Sequence, residues 1–335
     1  MATTGATIAV LGAGSWGTAL GILLARHGHQ VRLWGHQAAE ISKLEQDREN
    51  RRFLPGIPFP RTLAPNADLA GSIAGADEIL VVVPSHAFAD VLGRIKALAP
   101  ALPSLSWATK GLEPERQRLM SEVAREAFPR ADIAVVSGPT FAMEVAKGMP
   151  TAVTVASSSA AHARRLADYL HGDTFRAYTS DDIVGVQVGG AAKNVMAIAA
   201  GLSDGLGFGA NARAALITRG LAEITRLGLA LGGRHDTFMG LAGLGDLVLT
   251  CTDNQSRNRR MGLALADGCG IAEARKRIGQ EVEGLAAARD FHSKALELGV
   301  EMPITEHVYQ IIYKGLDPAV AVKTLLGREQ KPELG

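Results

Sequence analysis

The stretch Thr7 to Arg26, TIAVLGAGSWGTALGILLAR, sets a strand, a glycine-rich turn and a helix in direct succession. Thr7–Leu11 is a short run, apolar after its first residue, of the kind that forms a strand buried on both faces. Glycines at 12, 14 and 17 follow. Thr18–Arg26 then repeats Ala, Leu and Ile at helical spacing until Gly28 stops the pattern. In that context GxGxxG is a site for a dinucleotide pyrophosphate. Gly12 allows the tight turn, Gly14 lets backbone approach the phosphates, and Gly17 lets helix and strand pack closely. The free N–H groups at the helix start, around Ser15 and Trp16, face the anion.

Working outward, the next β-rich runs are Val31–Trp34, Ile79–Val83, Leu105–Ala108 and Ile133–Ser137, alternating with helical patterns. This βαβ rhythm predicts a parallel sheet. Ala152–Ala156 and Phe175–Tyr178 extend it, with mixed direction. From Gly189 the strand signal gives way to Ala- and Leu-rich helical spacing. Helices are expected over Arg213–Leu231 before Gly232-Gly233, Leu285–Leu298 before Gly299, and Ile304–Lys314 between Pro303 and Gly315. The expected fold is α/β: an N-terminal Rossmann-type doubly wound sheet over residues 1–188, then an all-helical, substrate-binding domain over residues 189–335. Ile183–Ser203 is nearly membrane-length and apolar, but Gln187, Lys193, Asn194 and its glycines make it a buried helix rather than a membrane span.

A chain of 335 residues, 47% of them hydrophobic, is long enough for two domains. Its formal charge of +1 leaves no cationic excess for nucleic-acid binding. Two cysteines, Cys251 and Cys269, cannot build a zinc cage and read as free thiols, so no metal is expected and a reducing, cytoplasmic setting fits. No basic leader precedes Ala6–Leu11, so no export signal is expected.

An acidic residue after the second strand would select NAD by binding ribose hydroxyls, but Gly28–Ala39 has none. Arg32 and His36 stand there instead and favour a 2′-phosphate, making NADPH the preferred cofactor and NADH the alternative. Lys193 is the only charged residue between Asp182 and Asp204, set in GGAAKNVMAIAAG. A buried ammonium gives up its proton more readily than a hydrated one, which suits proton transfer to a ketone oxygen during hydride delivery. A helix-end lysine reaching solvent is the plainer alternative.

Leu241–Arg260 passes from small and apolar residues into hydroxyls, amides and guanidiniums. Ser256, Arg257 and Asn258 offer donors suited to phosphate oxygens. Arg259 and Arg260 either assist or are solvated, and a basic cluster of this kind also reads as an exposed face. Asp246 is a partner for Lys193 or for a substrate hydroxyl, or else a helix cap. Lys110 in ATKG, and Gly138 and Thr140 in SGPTFA, stand where strands should end at the ligand edge of the sheet. A surface lysine and a proline-driven turn are the alternatives there.

The strings GAGSWGTAL, VVVPSH, ATKGLE, SGPTFA, GGAAKNVMAIAAGLSDGLGFGANARAALITRG and GLGDLVLTCTDNQSRNRR, spread nearly end to end, closely resemble bacterial NAD(P)-dependent glycerol-3-phosphate dehydrogenases. The resemblance implies reversible reduction of dihydroxyacetone phosphate to sn-glycerol 3-phosphate, which feeds phospholipid synthesis. It implies Lys193 as proton donor and acceptor, with Lys110, Gly138, Thr140, Asp246, Ser256, Arg257 and Asn258 holding substrate. It further implies Ser15, Trp16, His36, Lys110, Ala142, Arg257, Glu281 and Glu283 at the cofactor, and a homodimer. Glu281 is a departure, since an acid turned toward the 2′-phosphate would oppose NADPH. Two rival readings share the loop. A β-hydroxyacid dehydrogenase would need carboxylate recognition in place of Ser256-Arg257-Asn258, and a non-catalytic NAD(P)H sensor would not need Lys193.

Overall fold

The computed structural model describes residues 5–326. It divides into two compact units, one of Met1–Gly190 with Gly232–Asp246 and one of Ala191–Leu231 with Leu247–Gly335.

The first unit is built on strands β1 (Thr7–Leu11), β2 (Gln30–Trp34), β3 (Leu63–Asn66), β4 (Glu78–Val81), β5 (Ser104–Trp107), β6 (Asp132–Ser137), β7 (Thr151–Ser157) and β8 (Phe175–Ser180). They form one sheet in the order β8-β7-β6-β5-β4-β1-β2-β3. All pairs are parallel except β6 with β7, so the direction is mixed as the composition of the last strands suggested. Strand order reverses at β1 and β4, the point at which such sheets open a ligand crevice. Alternate residues of β1 enter different cores: Ile8 and Val10 join one apolar cluster, Ala9 and Leu11 another. Both faces are therefore dry, which is why these strands read as unbroken apolar runs. The strand with no sequence signal is β3, LAPN. It lies at the sheet edge, where Pro65 costs no ladder bond a central strand would need.

Helix α1 (Ser15–Arg26) packs against α2 (Ala142–Lys147) in this unit. The longest helix, α3 (Ile183–Gly205), begins in the first unit and continues in the second. It is long and apolar enough to cross a membrane, but its apolar stretch is 94% buried inside the protein, as its amides, lysine and glycines led us to expect.

The described residues of the second unit form helices, chiefly α4 (Gly209–Ala230), α5 (Asp246–Thr252, of which Asp246 itself counts with the first unit), α6 (Arg257–Ala266), α7 (Glu283–Leu298) and α8 (Pro303–Lys314). Gly299 and Gly315 take the left-handed conformation that ends α7 and α8. Backbones of α3 and α6 come very close: a Cβ on Gly201 would strike the Arg259 carbonyl, and one on Gly262 the Ile198 carbonyl. The single boundary expected between residues 188 and 189 is replaced by three crossings. The segment 232–246 returns to the first unit because Arg234 N and Thr237 Oγ1 both donate to Asp182, at 2.8 and 2.7 Å, and Phe238 is fully buried.

Candidate active site

The glycine loop meets its physical requirements position by position. Gly12 sits at φ +132, where a side chain would be strained and would strike the Val82 carbonyl. Gly14 has nothing within 4 Å on its Cβ side, leaving its backbone open to a ligand. It is also the N-cap of α1 and supplies no side-chain acceptor, so the first N–H groups of the helix keep their positive end for an anion. The Trp16 indole nitrogen is buried without a hydrogen-bond partner among the described residues. An open glycine, an uncapped helix start and an orphaned donor suit a dinucleotide here. Ala142 is the first residue of α2 and packs against the same core as Trp16.

In β2 and just after it, the two cations proposed for a 2′-phosphate separate. Arg32 is committed to structure, its Nη1 donating to the carbonyls of Gly71, Ser72 and Ala74 at the end of the short helix Leu69–Ile73. The Nη1 edge of the guanidinium is thus spent on those orphan carbonyls. His36 remains exposed after β2, with Gln37 beside it at 3.3 Å.

The four substrate candidates of the first unit gather together. Lys110 Nζ donates to Asp246 Oδ2 at 2.7 Å and to the Gly138 carbonyl at 3.3 Å, and Thr140 Oγ1 donates to that same carbonyl at 3.2 Å. Asp246 is completely buried, so its charge is held by Lys110, a partner the sequence did not suggest. It follows directly on a π-helical turn, Leu241–Gly245, an uncommon backbone form that recurs at functional sites.

In the second unit Lys193 is 7% exposed, and its Nζ donates to Thr250 Oγ1 at 2.7 Å. The reading of Lys193 as a helix-end lysine in solvent is thereby excluded. Next to it, Asn194 Oδ1 accepts from Asn258 Nδ2 at 2.8 Å, and its own amide donates to Glu283 Oε2 at 3.3 Å. Asn258 Oδ1 accepts from the Gly284 N–H at 2.9 Å. These bonds tie the lysine-bearing helix α3 to the start of α6.

The start of α6, where the side chains suggested an anion site, is arranged differently from that expectation. Ser256 is the N-cap of α6, its Oγ accepting from Arg259 N at 3.2 Å. Arg257 and Asn258 are the first two helical residues, so their backbone N–H groups join the Arg257 guanidinium and the Ser256 hydroxyl as donors. The Asn258 side chain is largely spent on Asn194 and Gly284. Arg259, expected to assist or be solvated, does neither: it is buried and paired with Asp204 at 2.5 Å, which also receives Arg213 at 2.7 Å. Glu281 is exposed and lies 3.9 Å from Arg275, whereas Glu283 is half-buried and holds Asn194.

Sequence reasoning passed over Thr250 and Asn194. Each carried a signal: Thr250 follows Asp246 by one helical turn, and Asn194 is a second polar residue beside Lys193 in an apolar helix. Neither Cys251 nor Cys269 forms a disulfide, and no cluster of metal-binding side chains occurs among the described residues.

A doubly wound sheet with this loop, in a chain that also buries a lysine beside a hydroxyl and a helix start suited to an anion, defines an NAD(P)-dependent oxidoreductase. Family models place it further: the NAD-dependent glycerol-3-phosphate dehydrogenase N-terminus matches residues 7–163 and the C-terminus residues 182–323. The chain belongs to that family. It is 56% identical over 335 residues to glycerol-3-phosphate dehydrogenase [NAD(P)+] of Pseudoalteromonas translucida, covering 99% of this chain and 100% of that one. Identity to the enzyme of the same name in Shewanella halifaxensis is 57% over 330 residues, covering 98% and 97%. Among solved structures, glycerol-3-phosphate dehydrogenase of Coxiella burnetii superposes with a TM-score of 0.95 at 49% identity, covering 97% of this chain and 100% of that one.

Proposed function

We propose that this protein reversibly reduces dihydroxyacetone phosphate to sn-glycerol 3-phosphate, supplying glycerophospholipid synthesis, with Lys193 as the group that gives and takes the proton. The observation that carries this reading is the Asn194–Asn258 hydrogen bond. It fixes a buried lysine and a phosphate-suited helix start to one another within a single unit. Bound NAD(P)H supplies the hydride. As negative charge builds on the ketone oxygen, Lys193 Nζ stabilises it and transfers a proton to it; in the reverse direction the amine takes the hydroxyl proton back. Thr250 orients that ammonium through its hydroxyl. Ser256, Arg257 and the N–H groups at the start of α6 hold the phosphate, with Asn258 chiefly holding their geometry. The same reading assigns Lys110, Gly138, Thr140 and Asp246 to the substrate. It assigns Gly12, Gly14, Ser15, Trp16, Gly17, His36, Lys110, Ala142, Arg257, Glu281 and Glu283 to the cofactor. NADPH is preferred over NADH, the working form is a cytoplasmic homodimer, and Arg32 no longer contributes to the preference.

Loss of nicotinamide absorbance on mixing purified protein with dihydroxyacetone phosphate and either cofactor tests the reading directly. Lys193→Ala is expected to lower kcat by orders of magnitude while cofactor binding survives, and Arg257→Ala chiefly to raise KM for the ketone phosphate. Absence of turnover with both cofactors, or a near-normal kcat in Lys193→Ala, would overturn it.

A further inference from the structure

One buried amide outside the described machinery is aimed at the cofactor loop. Asn50 lies beyond the helix Ala38–Asp47, in the segment NRRFL, and is 2% exposed. Its Nδ2 donates to the Ala13 carbonyl at 3.0 Å and to Thr18 Oγ1 at 2.9 Å, so both amide hydrogens are spent on the glycine loop and the helix after it. Its Oδ1 accepts from Phe53 N at 3.4 Å, which fixes the amide's orientation in its own segment. Phe53, Ala13 and Trp16 all pack against the same apolar core.

From this geometry we infer that Asn50 is a positioning residue for dinucleotide binding, acting by fixing the plane of the Ala13–Gly14 peptide. The peptide is trans, so its C=O and N–H point in opposite directions. With the Ala13 carbonyl held by Asn50, the Gly14 N–H is turned away from Asn50, out of the loop's supporting side. Gly14 also has open space where a Cβ would stand, and its own carbonyl is already taken by Thr18 N at 2.9 Å. The N–H is thus the group this peptide has left for an anion, and Asn50 decides where it points. Without the amide, the peptide is free to rotate, and each binding event must restrict it again. The inference rests on the pyrophosphate reading of the loop and extends it to a residue two helices and one strand further along the chain.

The test compares Asn50→Ala, Asn50→Asp and Thr18→Val with the parent protein by direct titration with NADPH and with ADP-ribose, alongside melting temperature and steady-state kinetics. Asn50→Ala is expected to raise both dissociation constants about tenfold, the scale of one lost hydrogen bond. Asn50→Asp should lose more, because it sets a carboxylate against the Ala13 carbonyl. Thr18→Val keeps the Ala13 contact and should stay within about threefold. KM for NADPH should follow the dissociation constant, while kcat at saturating NADPH falls by less. If Asn50 only braced α1 against its own segment, Thr18→Val would weaken binding as much as Asn50→Ala, and that result overturns the inference. Unchanged affinity in a folded Asn50→Ala or Asn50→Asp protein overturns it as well. Failure of the parent protein to bind either ligand would instead overturn the pyrophosphate reading, and this inference with it.

Discussion

A lysine ammonium inside a protein must find acceptors, and the Thr250 hydroxyl, at 2.7 Å, is one that Lys193 finds. Thr250→Val keeps the shape and removes the oxygen, leaving the ammonium less firmly aimed. We expect kcat to fall about tenfold with little change in KM for NADPH, measured by initial rates. His36 tests the cofactor preference at the same scale. His36→Ala should weaken NADPH more than NADH, read as the ratio of the two dissociation constants; an unchanged ratio removes His36 from the site. The candidate site residues were legible in the sequence as residue types. Lys193 stood out because nothing else charged lay near it in sequence, and Ser256-Arg257-Asn258 because donors followed an apolar run. What those side chains touch was not legible. Arg32 in β2 and His36 just after it looked equivalent, yet Arg32 faces helix carbonyls and His36 faces water. Only the path of residues 69–74 decides between them.

At the scale of elements, caps join stability to chemistry. Ser256 closes the first turn of α6 with its hydroxyl, and the proposed function turns that same hydroxyl toward the substrate phosphate. Ser256→Ala is therefore expected to cost about 1 kcal/mol in denaturant unfolding and to raise KM for the ketone phosphate. A loss in one measurement without the other would separate the two roles. Glu223 on α4 caps α8 in a similar way, accepting from Ile304 N at 2.7 Å and Thr305 N at 3.2 Å. Burial pushes its carboxyl up to about 7, against the opposing pull of those N–H groups. The folded protein therefore binds this proton more tightly than the unfolded chain does. Its contribution to stability is full below about pH 4.5 and is lost as pH rises through about 7, a change on the order of 3 kcal/mol. Glu223→Gln should flatten that part of the stability profile, measured by urea unfolding from pH 5 to 8. A variant whose stability tracks the parent across this window would place the titration elsewhere. Helices α7 and α8 were read from their glycine stops, whereas β3 had too few residues and a proline.

For the molecule as a whole, a ligand that binds only the folded state raises its stability. NADPH at one hundred times its dissociation constant is expected to add about 2.7 kcal/mol, seen as a higher melting temperature, and NADH at equal concentration to add less. The proposed homodimer is checked by sedimentation: Leu296, Val320 and Tyr313 expose apolar surface on the second unit, and a dimer should sediment at twice the mass of the 35.1 kDa chain. By itself the sequence determined the sheet, the glycine loop and the helical remainder, because period, glycine placement and helix stops act over a few residues and survive in the linear pattern. Its long ordered strings were enough for the family as well. Tertiary structure alone decided that residues 232–246 return to the first unit, that Asp246 pairs with Lys110, and that Asn50 grips the glycine loop. Those contacts join residues 32 to 136 positions apart, and which distant polar groups meet is set by the burial of whole elements rather than by any neighbour in the chain.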